Sequence, residues 1–248
     1  MYEVANPVSC TACPLQNCPG LRPLDQRQLA YLQGFKDGEI GLDRGDILIE
    51  EGAEHERLYT VLDGVLIRSR SLDDGRRQIV NFMFPGDLVG LQGAFDEPSS
   101  HAIEALIDAR LCRFQRKEFI ELISTHPRLG YDITWLAAKE ETALEGHIVS
   151  LGQRSARERV AYLAVWLLER AQSTCLADDH NIVALPITQG QIADMLGLSL
   201  VHTNRTLRQL EREGLVEWKS RAIHVPDLAH TAQYAQFDRQ ADRCRPFI

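Results

Sequence analysis

The chain reads as an α+β protein: a mostly-β N-terminal half, one long amphipathic helix, and a C-terminal helix-turn-helix closed by a small hairpin. Three observations predict it. Between Leu42 and about Arg113, short alternating runs are punctuated by glycine turns. After Pro127 the apolar period lengthens to that of a helix. Around Gly197 two short helical patterns flank a glycine turn.

In chain order, residues 1–22 form a cysteine-rich segment. Asn6-Pro7, Pro14 and Pro19 make it a loop rather than a helix. Residues 23–127 form the β domain. Its strand-like runs are Asp46 to Glu50, Leu58 to Leu62, Val65 to Ser71, Gln78 to Met83 and Leu88 to Leu91. Asp63-Gly64 and Asp73-Asp74-Gly75 read as hairpin connections and Phe84-Pro85-Gly86-Asp87 as a sharp turn, so the strands close into a sandwich or jelly roll.

Residues 128–152 form the long helix. Ile133, Ala137, Leu144, Ile148 and Leu151 recur on one narrow stripe, which suits a dimer seam. Periodicity alone leaves a second use open, packing on the helix's own β domain. Residues 153–228 begin with a helix from Ala156 to Gln172, N-capped by Ser155, with Val160, Leu163, Ala164 and Leu167 on a broad apolar face. Ala177 to Leu185, with Asp178, Asp179 and Asn181, reads as a loop entering a short strand. Residues 229–248 are a polar tail with scattered aromatics, expected to be partly ordered at best.

The helix-turn-helix spans about residues 188 to 224. Thr188 caps a helix whose Ile192, Ala193 and Leu196 form one face; Gly197 ends it, and Ser199 caps a second helix from Leu200 to about Glu213. Leu207 and Leu210 face inward. Thr203 and Thr206 also fall on the inner side, where their hydroxyls can bond back to helix carbonyls. Val201, His202, Asn204, Arg205 and Arg208 face outward, a set suited to the major groove. Arginine bridges guanine O6 and N7, asparagine bridges adenine N6 and N7, and valine packs on a thymine methyl. Leu215 to Trp218 and Ala222 to Val225 flank Lys219-Ser220-Arg221 as a wing whose cations can meet phosphates. The net charge of −8 excludes a protein that coats nucleic acid by bulk positive charge, so any DNA contact is local. No stretch is long and apolar enough to span a bilayer and the first residues lack a signal pattern, so a cytoplasmic location without membrane contact is expected.

Six cysteines in such a chain point to metal or redox chemistry rather than a disulfide framework. Cys10, Cys13 and Cys18 give C-x2-C-x4-C, and Cys112 lies far downstream. Alone, Cys112 reads as a core cysteine; with the other three it completes four thiolates. Iron–sulfur clusters and structural zinc both accept four cysteines, and spacing does not separate them from each other or from a thiol redox switch. Cys175 and Cys244 read as ordinary thiols. The eight histidines form no H-x-H or H-x-x-x-H pair, which counts against a cupin-like metalloenzyme or small-ligand module on the jelly roll.

Four stretches resemble the Crp/Fnr family, and within it the Fnr branch: GRRQIVNFMFPGDLVG from Gly75, ARLCRF around Cys112, SARERVAYLAVWL from Ser155 and LGLSLVHTNRTLRQL from Leu196. The resemblance covers roughly residues 10–228. It implies a dimeric transcription regulator rather than an enzyme, with a cyclic-nucleotide-binding-type β-roll, a long dimerisation helix and a winged helix-turn-helix. It implies a [4Fe-4S] cluster on Cys10, Cys13, Cys18 and Cys112 that oxygen degrades, a homodimer seam through Ala137, Leu144, Ile148 and Leu151, a palindromic site in double-stranded promoter DNA, and contact with RNA polymerase. No cyclic nucleotide is expected, because Ser100-His101 stands where cyclic-nucleotide sensors of the family carry Arg-Ser. The cysteine spacing is one residue shorter than in the best-known Fnr members. Arg205 matches the family's base-reading arginine, whereas Val201 replaces the usual glutamate and Asn204 the usual serine.

Overall fold

The computed structural model describes residues 1–92, 97–177, 180–219, 221–238 and 244–248. Its β domain contains β1 (Tyr2–Glu3), β2 (Lys36–Leu42), β3 (Ile47–Ile49), β4 (Arg57–Asp63), β5 (Leu66–Ser71), β6 (Arg77–Met83), β7 (Leu88–Val89), β8 (Ala102–Ala105) and β9 (Ala109–Gln115). They form two antiparallel sheets, β1-β2-β9-β4-β7 and β3-β8-β5-β6. Ile40, Leu42, Val61 and Leu111 from the first sheet meet Leu66, Met83 and Ile103 from the second, so the jelly roll closes by burying one face of each.

The Asp73-to-Gly75 turn is a hairpin joining β5 and β6. Asp63-Gly64 is not. It carries the chain from one sheet to the other, since β4 pairs with β7 and β9 while β5 pairs with β6 and β8. Gly64 has φ +87°, and a Cβ there would lie 2.4 Å from the Asp108 carbonyl oxygen, so the crossing needs glycine for conformation and for space. The β domain also carries two helices that its strand-like text conceals, α1 (Gln26–Phe35) and α2 (Phe119–Thr125). Asp25 and Gln28 cap α1 reciprocally.

Helix α3 (Pro127–Gln153) packs in part on its own β domain. Leu129, Ile133 and Leu136 are buried against the helix's own β domain. Ile133 therefore leaves the seam stripe. Ala137 is exposed, Leu144 and Leu151 are half-buried and Ile148 is 67% exposed; Ala137, Leu144 and Ile148 border an open cavity, and Leu151 lies beside the Gly197 turn.

Helix α4 (Ala156–Ser173) starts at a Ser155–Glu158 capping box and joins the two halves of the molecule. Val160, Leu163, Ala164 and Leu167 are fully buried in one apolar cluster that runs from Val65, Ile67, Ile79 and Phe82 of the β domain to Ile192, Leu196 and Leu210 of the helix-turn-helix. The remaining elements are β10 (Ile182–Val183), α5 (Gln189–Leu196), α6 (Leu200–Arg212), β11 (Glu217–Lys219), β12 (Ala222–His224) and α7 (Leu228–Tyr234). Asp178 and Asp179 of the expected loop lie outside the described residues, as does Ser220 of the wing.

His147 of α3 sits at this junction, 5.1 Å between ring centroids from Trp166 of α4 and 3.3 Å from Asn81 Oδ1 of β6. Burial, reinforced by the Arg68 charge, pushes its imidazole down to about 4, and the same causes act on His101. An unfolded imidazole titrates near 6.5. The folded value is the lower one, so this stability is complete above about pH 6.5 and is lost as pH falls towards 4. Between pH 7 and pH 5 the loss is expected to be on the order of 2 kcal/mol for His147. Urea unfolding at the two pH values measures it, and His147→Gln should shrink the difference.

Candidate nucleic-acid interface and cysteine centre

The reading surface is built from caps outward. Thr188 and Gln191 form a capping box at the start of α5, Gly197 ends it at φ +62°, and the Ser199 hydroxyl accepts from His202 N to start α6. Leu207 and Leu210 are buried, and so are Thr203 and Thr206. Thr203 Oγ1 donates to the Ser199 carbonyl at 3.0 Å, which satisfies a hydroxyl that the core could not otherwise hold. Val201 is 81% exposed, Arg205 and Arg208 are exposed, and His202 and Asn204 are half-buried beside them.

Asn204 Nδ2 donates to Gln189 Oε1 at 3.0 Å. That bond orients the Asn204 amide and adds Gln189, at the tip of α5, to the polar surface. Sequence reading missed Gln189, since its signal is only that of an exposed first-turn residue. In the wing, Lys219 Nζ lies 3.4 Å from Glu217, a carboxylate that competes with any phosphate for it. Arg221→Ala is therefore expected to reduce the salt slope of DNA binding by about 1, and Lys219→Ala by less. Titrations across salt concentration measure both.

The cysteine segment folds as two 3-10 turns, Cys10–Ala12 and Pro14–Asn17. Ser9 caps the first, and Gln33 of α1 accepts from Cys10 N at 2.8 Å. Cys10, Cys13 and Cys112 line one apolar cavity with Leu15, Leu24 and Phe114. Its volume is about 20 Å³, room for roughly one water. Among the described residues, no three metal-ligating side chains are already spaced to hold an ion. The donor chemistry nonetheless suits a soft, thiolate-bound centre: two thiols of the N-terminal turns and Cys112 of β9 line one apolar cavity, with Cys18 close enough to feel the Cys13 charge.

Burial raises all four thiols above their usual range, Cys18 and Cys112 to about 12. The Lys36 charge pulls the other way at Cys10, Cys13 and Cys112. Cys18 does not line the cavity. Its Sγ donates to the Pro14 carbonyl oxygen at 3.9 Å, Cys175 is near enough to raise its thiol, and Cys244 Sγ lies 3.6 Å from the Pro19 carbonyl oxygen. Cys175 and Cys244 are free and exposed, but the end of α4 and the tail both come back to the N-terminal segment.

The described part of the tail is anchored. Beyond α7, Arg245 bridges to Leu21, with Arg245 N donating to Gly20 O at 2.8 Å and Arg22 N to Arg245 O at 2.7 Å. Phe247 and Ile248, 2% and 5% exposed, complete the wall of the cysteine cavity. Their burial repays the ordering of a polar segment. A second, much larger cavity of about 930 Å³ lies between the β domain and α3, with Arg68, Ser100, His101 and Glu140 on its walls.

Two domain families match the chain, the cyclic nucleotide-binding domain over residues 39–126 and the Crp-like helix-turn-helix domain over residues 158–232. The nitrogen fixation regulation protein FixK of Bradyrhizobium diazoefficiens is 31% identical over 208 residues, 84% of this chain and 85% of that protein. The chain belongs to the Crp/Fnr family. This Crp/Fnr protein is accordingly a DNA-binding transcription regulator and not an enzyme. Regulators of the family bind promoter DNA and typically act as dimers. The transcriptional activator protein FnrL of Cereibacter sphaeroides is 28% identical over 232 residues, 92% of each chain. An anaerobic regulatory protein of Aggregatibacter actinomycetemcomitans is 23% identical over 222 residues, 90% of this chain and 86% of that protein. The solved structure of FixK2 from Bradyrhizobium japonicum superposes with a TM-score of 0.67 at 29% identity, over 82% of this chain and 98% of that one. Among the described residues no helix is long and apolar enough to cross a membrane.

Proposed function

We propose that this Crp/Fnr regulator is gated by an oxygen- or redox-sensitive [4Fe-4S] cluster held by Cys10, Cys13, Cys18 and Cys112, and that the loaded form favours a homodimer on a palindromic promoter site. One observation carries the reading: Cys112, far along the chain on β9, lines the same apolar cavity as Cys10 and Cys13. A bound cluster supplies an iron centre that oxygen can dismantle. Lys36 favours the thiolate forms of Cys10, Cys13 and Cys112, while Phe247 and Ile248 close one apolar wall of the cavity. The name of the Aggregatibacter relative ties that protein to anaerobic regulation, which is consistent with such a sensor.

For gating, the loaded state must favour the dimer by differential free energy, since a ligand indifferent to both states shifts nothing. Ala137, Leu144, Ile148 and Leu151 form the proposed seam, and two α6 helices one DNA turn apart read the half-sites. RNA polymerase is the proposed partner of the bound dimer. Cyclic nucleotide has no role in this reading. Ser100 and His101 bring no guanidinium to the large cavity, and Arg68 on its wall is engaged by Glu140 at 3.0 Å.

Anaerobic purification with iron, zinc and acid-labile sulfide analysis tests the proposal, together with DNA binding before and after exposure to air. Brown protein that bleaches and releases DNA in air is expected. Colourless protein with stoichiometric zinc would overturn the cluster.

A further inference from the structure

Cys18 stands apart from the other three candidate ligands. It is buried without lining the cavity, and Cys175, exposed in the turn after α4 at φ +64°, is near enough to raise its thiol. The backbones are fastened beside this contact. Gly20 N donates to Ser173 O at 2.9 Å, and a Cβ on Gly20 would lie 2.3 Å from Ser173 Cβ, so the two segments are as close as a glycine allows. Two thiols, each two residues from a shared backbone hydrogen bond, are placed where a disulfide can close without large backbone movement.

We propose that Cys18 and Cys175 form a redox-active pair that closes to a disulfide under peroxide, a modification site distinct from the Cys10, Cys13 and Cys112 cavity. In the first step the exposed Cys175 sulfur, as thiolate, attacks one peroxide oxygen. The O–O bond breaks, the leaving hydroxide takes a proton to become water, and Cys175 becomes a sulfenic acid. In the second, the Cys18 sulfur displaces the sulfenic oxygen, which leaves as water with the thiol proton. Two thiols are thereby oxidised by one peroxide, which is reduced to two waters.

The consequence rests on the cluster reading. Cys18 cannot be both a disulfide partner and a cluster ligand, so oxidation removes the fourth thiolate and ties the N-terminal segment covalently to the end of α4. The pair then records peroxide stress after a cluster is lost, and blocks reloading until the disulfide is reduced.

The test treats reduced, metal-free full-length protein with hydrogen peroxide, alkylates the remaining thiols and maps peptides without reduction. The expected result is the loss of two free thiols per chain and one cross-linked pair, Cys18 with Cys175. Cys175→Ser should abolish that pair and Cys244→Ser should leave it unchanged. No cross-link, or a preferred link through Cys10, Cys13, Cys112 or Cys244, would overturn the proposal. Anaerobic loading with iron and sulfide before peroxide should suppress the link. If the protein takes up neither, the cluster reading fails, while the outcome for metal-free protein still decides the pair.

Discussion

Arg205→Ala is expected to lower affinity for the selected DNA site roughly 10- to 100-fold, the equivalent of about 1–3 kcal/mol for one bidentate guanine contact. Affinity for scrambled DNA should change little. The contrast follows from where the side chain sits. Arg205 is exposed on α6, on the face opposite buried Leu207 and Leu210, and Ser199 caps the helix that carries it. Its guanidinium can therefore reach a base edge without opening the core. Arg205→Lys should not restore selectivity, because an ammonium cannot reproduce the planar two-bond fork. Anisotropy titrations on selected and scrambled duplexes at one fixed salt concentration provide the measurement. Equal losses on both duplexes would mean that Arg205 holds phosphate and that bases are read elsewhere. Val201, 81% exposed near the start of the same helix, should then be examined as Val201→Glu. That change replaces a surface that packs on a thymine methyl with an acceptor for cytosine N4, and should move the preferred base rather than the overall affinity.

The reading head was legible because its signals are local. Caps at Thr188 and Ser199, a left-handed Gly197 and the spacing of Ile192, Leu196, Leu207 and Leu210 all act within one or two helical turns. The bonds of the β domain are long-range, and there the sequence was less informative. Strand β2 reads KDGEIGL, whose glycines and charges suppress any alternation, and it exists because Glu39 to Leu42 pair with Ala109 to Cys112 of β9. Buried Glu39 ion-pairs with Lys36 and Arg110, a device invisible to hydropathy. The Asp63-Gly64 step fails as a hairpin for the same reason, since turn chemistry specifies a bend but not which sheet receives the next strand.

The cysteine centre was legible in part. The clustering of Cys10, Cys13 and Cys18 marked the segment, but the covering of the cavity by Phe247 and Ile248 does not follow from spacing. That covering depends on the return of the tail, whose anchoring residue is not apolar. Arg245 is the link between a polar tail and a buried site, and its partner is Asp87 of the turn before β7.

Asp87→Ala should give the largest stability loss of any single change in this region, about 3–5 kcal/mol, because it strands buried cations. Arg170 Nη2 donates to both Asp87 oxygens at 2.8 Å, Arg245 Nη2 to Oδ1 at 2.6 Å and Phe84 N to Oδ2 at 2.8 Å. Burial alone would raise this carboxyl, but the two guanidiniums and the Phe84 N–H outweigh it and hold it below the usual carboxylate range. Burial and the neighbouring Arg170 charge push Arg245 down to about 10, which leaves it a cation at neutral pH. The folded carboxyl value is the lower one, so the contribution of Asp87 is full above the unfolded value near 3.9 and disappears as pH falls through the folded value. Removing the carboxylate leaves two buried positive charges facing each other. The double variant Asp87→Ala, Arg245→Ala should therefore be less destabilised than the two single losses added together, since it removes one stranded charge along with the anion. Urea unfolding of the four proteins measures that coupling. The same clamp holds the tail, so Asp87→Ala should also release Phe247 and Ile248 from the cysteine cavity. Alkylation of Cys10, Cys13 and Cys112 in folded, metal-free protein should then accelerate. An Asp87→Ala protein that keeps parental stability and parental thiol protection would show that apolar burial of Phe247 and Ile248 alone secures the tail.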